Sequence, residues 1–113
     1  MAIDANWEVS VPDVKTMQDR GEAFLLLDVR NPDEYAICKI DGAHLVPLGE
    51  LGKRLDEVKR LANGKPVVAH CHHGGRSLNA ASILREAGMA GAKSMAGGID
   101  AWSLLVDPKV ARY

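Results

Sequence analysis

The segment Phe24-Leu25-Leu26-Leu27-Asp28-Val29 holds five apolar residues in six positions, without the alternation of a strand that keeps one wet face. Such a run reads as a strand buried on both sides, and a strand of that kind needs cover above and below it. The flanking sequence supplies the cover. Ser10 is placed to cap a helix with Pro12 in its first turn, Val11, Val14 and Met17 fall at helical spacing, and Gly21 ends the run. After the strand, Asn31-Pro32-Asp33-Glu34 reads as a helix start, with an N-cap, a proline at the first position and a glutamate at the third. That helix ends near Ile37. Asp41-Gly42 turns the chain into a brief strand, Ala43-His44-Leu45-Val46.

The same alternation continues to the end. Leu48, Leu51, Leu55, Val58 and Leu61 trace one face of an amphipathic helix, with Lys53, Arg54, Asp56, Glu57, Lys59 and Arg60 on its solvated side. Asn63-Gly64-Lys65 breaks it, and Val67-Val68-Ala69 is the next strand. Ala80, Ile83, Leu84 and Ala87 give a helix over 78–88, Gly88 is its stop, and 92–95 reads as a last strand before Gly97-Gly98 and a short helix carrying Ala101 and Trp102. With Trp7-Glu8-Val9 as a first short strand, strands and helices alternate. That predicts an α/β fold: a three-layer domain with a central, mostly parallel, five-stranded sheet and helices on both faces. All 113 residues read as one domain, with a core over 7–103 and a tail, 104–113, whose last residues carry no clear signal.

Charge and cysteine usage narrow the function classes. Fourteen basic against fifteen acidic residues give a net charge of −1, which removes the electrostatic case for a nucleic-acid binder. The N-terminus shows no basic and apolar leader pattern, and no apolar run approaches ~18 residues, so neither export nor a membrane span is expected. The two cysteines, Cys38 and Cys71, form no CxxC pair, and the four histidines (His44, His70, His72, His73) show no structural zinc spacing. Neither a metal nor another cofactor is expected. The expected setting is a reducing cytoplasm, where a free thiol persists.

The chemistry concentrates in His70-Cys71-His72-His73-Gly74-Gly75-Arg76-Ser77, which follows the strand at 67–69 and precedes a helix. In open α/β sheets, sites form beyond the carboxyl ends of strands, where Cys71 stands. Gly74 and Gly75 let the backbone approach a ligand closely. Loop amides, the helix N-terminus and Arg76 all favour negative charge, and the thiolate is the reactive form of cysteine. Arg76 is expected to hold an oxyanion in its fork, and Ser77 to cap the helix and hydrogen-bond the sulfur. A cysteine in an anion cradle suits phosphate, arsenate or sulfur chemistry alike.

Other residues have plainer readings. His72 and His73 stand near the mouth of the cradle, His72 facing it; protonated histidine there would add charge for donor binding. Asp28 and Arg30 follow the buried strand at its carboxyl end, where they could line the cleft or serve the fold, with Arg30 pairing with Glu34. Cys38 reads as a small core residue rather than a resolving thiol. His44 reads as structural and His70 as packed beneath the loop.

Cys71-His72-His73-Gly74-Gly75-Arg76-Ser77 resembles the Cys-x-x-Gly-x-Arg-Ser loop of the rhodanese (thiosulfate sulfurtransferase) family. Leu27-Asp28-Val29-Arg30 with Glu34-Tyr35, the stretch from Ile40 to Leu48, and Gly97-Gly98-Ile99-Asp100-Ala101-Trp102 resemble three further motifs of that family, in order. The resemblance implies a single-domain sulfurtransferase with Cys71 catalytic and His72, His73, Gly74, Gly75, Arg76 and Ser77 forming the substrate-binding loop. The thiolate would take sulfur from a small anionic donor such as thiosulfate. It would then pass the sulfur to cyanide, a thiol or a protein, through a persulfide on Cys71 and without a cofactor. A protein-to-protein sulfur relay is the alternative. Arsenate reductases and cysteine phosphatases use a similar cradle one residue longer; four residues separate Cys71 from Arg76 here, which in the family goes with sulfur.

Overall fold

The structure, a computed structural model, describes residues 7–113. The reading of the extreme N-terminus concerned in part residues 1–6, which lie outside the described residues. Five strands form one sheet: β1 (Glu8–Ser10), β2 (Leu25–Asp28), β3 (His44–Leu45), β4 (Val67–His70) and β5 (Lys93–Ala96). Their order is β1-β5-β4-β2-β3, and every neighbouring pair is parallel. Parallel strands need crossovers, and five helices provide them: α1 (Val11–Asp19), α2 (Pro32–Ile37), α3 (Leu48–Leu51), α4 (Leu55–Ala62) and α5 (Gly75–Glu86); α6 (Gly98–Leu105) follows the last strand.

Strand parity divides the core. Leu27 of β2 and Val67 and Ala69 of β4 point to one face, where they meet Leu51, Val58, Ala80 and Leu84 from α3, α4 and α5. Leu26 and Val68 point to the other, against Val11 and Val14 of α1 and Ile99 and Trp102 of α6. Cys71, one residue past β4, continues the parity of Ala69 and joins the first cluster. His70 continues that of Val68. The central pair β2–β4 is in register Leu27↔Ala69 and Asp28↔His70, so both strands end side by side. That shared end positions the site.

Local sequence explains most boundaries. The Ser10 side chain accepts from Asp13 N at 3.1 Å, and the Glu34 carboxylate accepts from Asn31 N at 3.1 Å, capping α1 and α2. Several ends shift by a residue or two, and two differ more from expectation. The single helix expected from Leu48 to Leu61 is two, broken at Gly52-Lys53-Arg54. Glycine lowers helix propensity there, and the Arg54 guanidinium spans the break to Glu50 (3.1 Å) and Glu57 (2.8 Å). The helix expected from 78 begins at Gly75, because Gly74, at φ +120°, turns the chain directly out of the loop.

Candidate active site

Cys71 is the first residue beyond β4, and its side chain is 1% exposed. Three groups approach the sulfur. Gly74 N donates to Sγ at 3.1 Å, Ser77 N donates at 3.4 Å, and Ser77 Oγ stands 3.4 Å away. Both amides belong to the N-terminus of α5, where helix N–H groups have no partner within the helix. The start of the helix therefore closes around the sulfur and offers it donors and partial positive charge. Ser77 is the third residue of α5 rather than its cap, which is Gly74, because the helix starts three residues before the expected position. Its hydroxyl reaches the Gly74 carbonyl at 3.1 Å and Ser94 Oγ at 2.6 Å. The one Ser77 hydroxyl proton is thus shared among Gly74 O, Ser94 Oγ and the sulfur, and the Ser94 hydroxyl stands within reach of the same carbonyl.

Gly97 and Gly98 hold the other side of the loop. Gly98 has φ +61°, and a side chain there would run into the carbonyl oxygens of Cys71 and His72. The absence of one lets α6 dock by its N-terminus: Ile99 N donates to Cys71 O at 2.9 Å and Asp100 N to His72 O at 3.1 Å. Two helix N-termini thus meet at this loop, one aimed at the sulfur and one at the backbone carbonyls.

Arg76 does not point into the cradle. Its two Nη atoms bind the two oxygens of Glu34 at 2.6 and 2.8 Å, a bidentate pair that joins α5 to α2. The Arg76 hydrogen bonds hold the Glu34 carboxyl down at about 2. The expected Arg30–Glu34 carboxylate pair is absent for the same reason. Arg30 turns inward, fully buried, and binds Asp28 through Nε and Nη2 (2.7 Å to Oδ2), reaching only the Glu34 carbonyl at 3.3 Å. Burial opposes the Arg30 charge, but the hydrogen bonds to Asp28 and Tyr113 and the nearby Asp28 charge together outweigh it, so its pKa rises.

The histidines separate. His73 is exposed, with Nδ1 3.9 Å from Asp100. The His72 ring lies between those of His73 (3.9 Å) and Tyr113 (4.0 Å, 8° from parallel), and partial burial followed by the His73 charge lowers its pKa. His70 is completely buried on the α1–α6 face, its ring nitrogens without hydrogen-bond partners and Nε2 3.7 Å from Asp28; burial pushes it down to about 4. His44 pairs with Glu57 at 3.2 Å. Cys38 is half-buried and unpaired, its sulfur 3.8 Å from Arg30 Nη1. Among the described residues, no three His, Cys, Asp or Glu side chains cluster closely enough to hold a metal ion. A groove of about 860 Å³ lies far from this chemistry, at the N-terminal ends of β4 and β5.

Three residues of the site had no part in the expected loop: Glu34, Ser94 and Tyr113. Glu34 was visible as a helix-capping glutamate, as the expected partner of Arg30 and as part of a family motif, but not as the partner of Arg76; Ser94 was visible only as a residue of the last strand, and Tyr113 not at all.

The comparison with known proteins agrees with this geometry. Residues 10–105 match the rhodanese-like domain. The chain belongs to the rhodanese-like domain family. It is 36% identical, over 93% of its length, to the adenylyltransferase and sulfurtransferase MOCS3-2 of Zea mays, and spans only 23% of that protein. Among solved structures, the human single-domain sulfurtransferase TSTD1 is 30% identical with a TM-score of 0.74, over 88% of this chain and 96% of that one. A rhodanese-related protein of Thermoplasma volcanium is 27% identical with a TM-score of 0.73, over 94% of this chain and 98% of that one. In this rhodanese-like domain the Glu34–Arg76 pair ties the 27–35 motif to the cysteine loop, while the Asp28–Arg30 pair holds that motif within itself. Gly97-Gly98 ties the closing motif to the same loop.

Proposed function

We propose that this chain is a sulfurtransferase that carries sulfane sulfur on Cys71. The observation that carries the proposal is the pair of α5 amides on the sulfur, Gly74 N at 3.1 Å and Ser77 N at 3.4 Å. Charge on a cysteine sulfur, or on a second sulfur bonded to it, is what such donors stabilise. The Cys71 thiolate attacks the outer sulfur of thiosulfate. The new Sγ–S bond forms as the donor's S–S bond breaks, and sulfite leaves with the electron pair. Cyanide or a thiolate then attacks the outer sulfur of the persulfide, takes it, and returns Cys71 as thiolate. Charge and atoms balance in both steps, and no cofactor is called for. Arg76, held by Glu34, acts by fixing α5 and with it the amides that face the sulfur. His72 and His73 line the approach. The proposed setting is the cytoplasm, in keeping with two unpaired cysteines and, among the described residues, no helix long and apolar enough to cross a membrane.

A second reading, a sulfur relay whose partner is a polypeptide thiol, draws on two observations. The Arg76 charge is spent on Glu34, which weakens the case for a sulfonate-bearing donor. The chain also spans about a quarter of relatives whose names join a sulfurtransferase to an adenylyltransferase. Three assays together separate the readings from each other and from anion hydrolysis. With thiosulfate and cyanide the protein yields thiocyanate and Cys71→Ser yields none, while an aryl phosphate stays intact. Slow thiocyanate formation beside fast sulfur exchange with a protein thiol selects the relay. Aryl phosphate hydrolysis without persulfide would overturn both.

A further inference from the structure

The end of the chain returns to the active-site loop. Ser103 Oγ of α6 donates to Val110 O at 2.6 Å, which anchors the start of the segment 110–113. Arg112 Nε then donates to Asp100 at 2.9 Å, on the α6 side of the loop. Tyr113 reaches the α2 side: its hydroxyl donates to Glu34 Oε2 at 2.7 Å and accepts from Arg30 Nη1 at 3.0 Å. Between these anchors the Tyr113 ring stacks on His72, the residue after the cysteine. The segment therefore bridges α6 and α2 across the loop, and beneath the loop Cys71 is 1% exposed.

The bridge is firm at its two ends, Val110 and the Tyr113 hydroxyl, and loose between them. The Tyr113 hydroxyl sits between two charged groups, and burial raises it to about 12, so it stays a neutral donor. The Arg112–Asp100 pair is exposed on the arginine side, and exposed pairs are weak. Ala111 and Arg112 are exposed. Among the described residues the large apolar side chains left in solvent are Ile37 on α2, Leu104 and Leu105 on α6, and Tyr113 itself. They sit on the two helices that the segment bridges and on the segment. Such residues suit a polypeptide surface better than a small anion.

We propose that Tyr113 is a specificity-determining residue: segment 110–113 is a strap that lets small reagents reach Cys71 and has to be displaced by a sulfur donor or acceptor carried on a polypeptide. The seat that Tyr113 vacates, an imidazole face beside the Glu34–Arg76 and Arg30 groups, becomes the partner's docking point. The proposal rests on the reading of Cys71 as a sulfur carrier for its meaning, but the strap itself is testable without sulfur.

The test compares alkylation of Cys71 by iodoacetamide and by iodoacetamidofluorescein, located by peptide mass, in the full chain, in Tyr113→Ala, in Tyr113→Phe and in a chain ending at Ala111. If the strap is seated in ten molecules for each one open, the bulky reagent is held back about tenfold. The ratio of bulky to small rates is expected to rise by that factor in Tyr113→Ala and in the shortened chain. In Tyr113→Phe, which keeps the stack and loses both hydroxyl contacts, it rises by less. The same ratio, measured as sulfur loading from a cysteine-persulfide dodecapeptide against thiosulfate, is expected to move in parallel. An alkylation ratio that is equal in all four chains overturns the strap, as does one that rises in Tyr113→Phe as far as in Tyr113→Ala. A shifted alkylation ratio with no sulfur on Cys71 from either donor in any chain overturns the sulfur reading instead.

Discussion

Cys71 Sγ sits where two amide N–H groups and one hydroxyl converge, and these donors differ in what they are expected to contribute. The amides are fixed by the backbone of α5. The Ser77 hydroxyl is shared with Gly74 O and Ser94, so removing it leaves the sulfur its main donors. Ser77→Ala is expected to slow persulfide formation by about 2–10-fold, the worth of one net hydrogen bond, whereas Cys71→Ser abolishes it; single-turnover loading from thiosulfate measures both. Glu34→Gln frees Arg76 and is expected to lower stability by ~1–2 kcal/mol, because a half-buried bidentate pair is broken. Denaturant midpoints of the variant and the parent check it. Cys71, Gly74 and the amide cradle were legible because they are contiguous in sequence. The partner of Arg76 was not, since Glu34 lies 42 residues before it, and Tyr113, which binds the same carboxylate, lies 79 residues after Glu34. Local pattern says nothing about which distant carboxylate a guanidinium finds.

At the scale of elements, the loop is clamped between the N-termini of α5 and α6. The α6 contact depends on Gly98, whose φ of +61° and missing side chain let Ile99 N and Asp100 N reach the carbonyls of Cys71 and His72. Gly98→Ala meets both left-handed strain and a backbone collision. It is expected to cost about 2–4 kcal/mol and to reduce sulfur loading along with stability, read from thermal melting and loading on the same sample. Strands were well placed from sequence, because β2 and β4 are buried on both faces and carry the unbroken apolar runs that such burial demands. Helix boundaries were less legible. The Leu48-to-Leu61 stripe continues across Gly52, so periodicity showed one face but not the break in the backbone beneath it.

For the whole molecule, the parallel order β1-β5-β4-β2-β3 brings the ends of β2 and β4 together, and with them a charged interior: Asp28, Arg30 and His70 are all completely buried. Acid acts on this interior in two stages. His70 has a folded pKa of about 4, below the ordinary 6.5, so between these values the unfolded chain binds a proton that the folded chain refuses. Its contribution is complete above pH 6.5 and is lost as pH falls toward 4, a change of ~3 kcal/mol. Glu34, held at about 2, adds stability that is present above pH 4.5 and is lost as pH falls from there toward 2. Melting temperature is therefore expected to fall below pH 6.5, and His70→Leu to remove most of the slope between pH 6.5 and 4.5, His72 keeping a smaller part, while leaving the slope below. A slope undiminished in His70→Leu would place the acid sensitivity elsewhere. The three-layer fold was legible from alternation alone. The strap formed by 110–113 was not, because its hold depends on single contacts of Arg112 and Tyr113 and leaves no periodic pattern.

Intact mass after exposure to thiosulfate tests the central claim most directly. The wild-type chain is predicted to gain one sulfur atom, located on Cys71 by peptide mapping, to lose it on addition of cyanide, and to gain none in Cys71→Ser. A wild-type chain that gains no sulfur, or a Cys71→Ser chain that still carries it on Cys38, would contradict the assignment of Cys71 as the sulfur carrier.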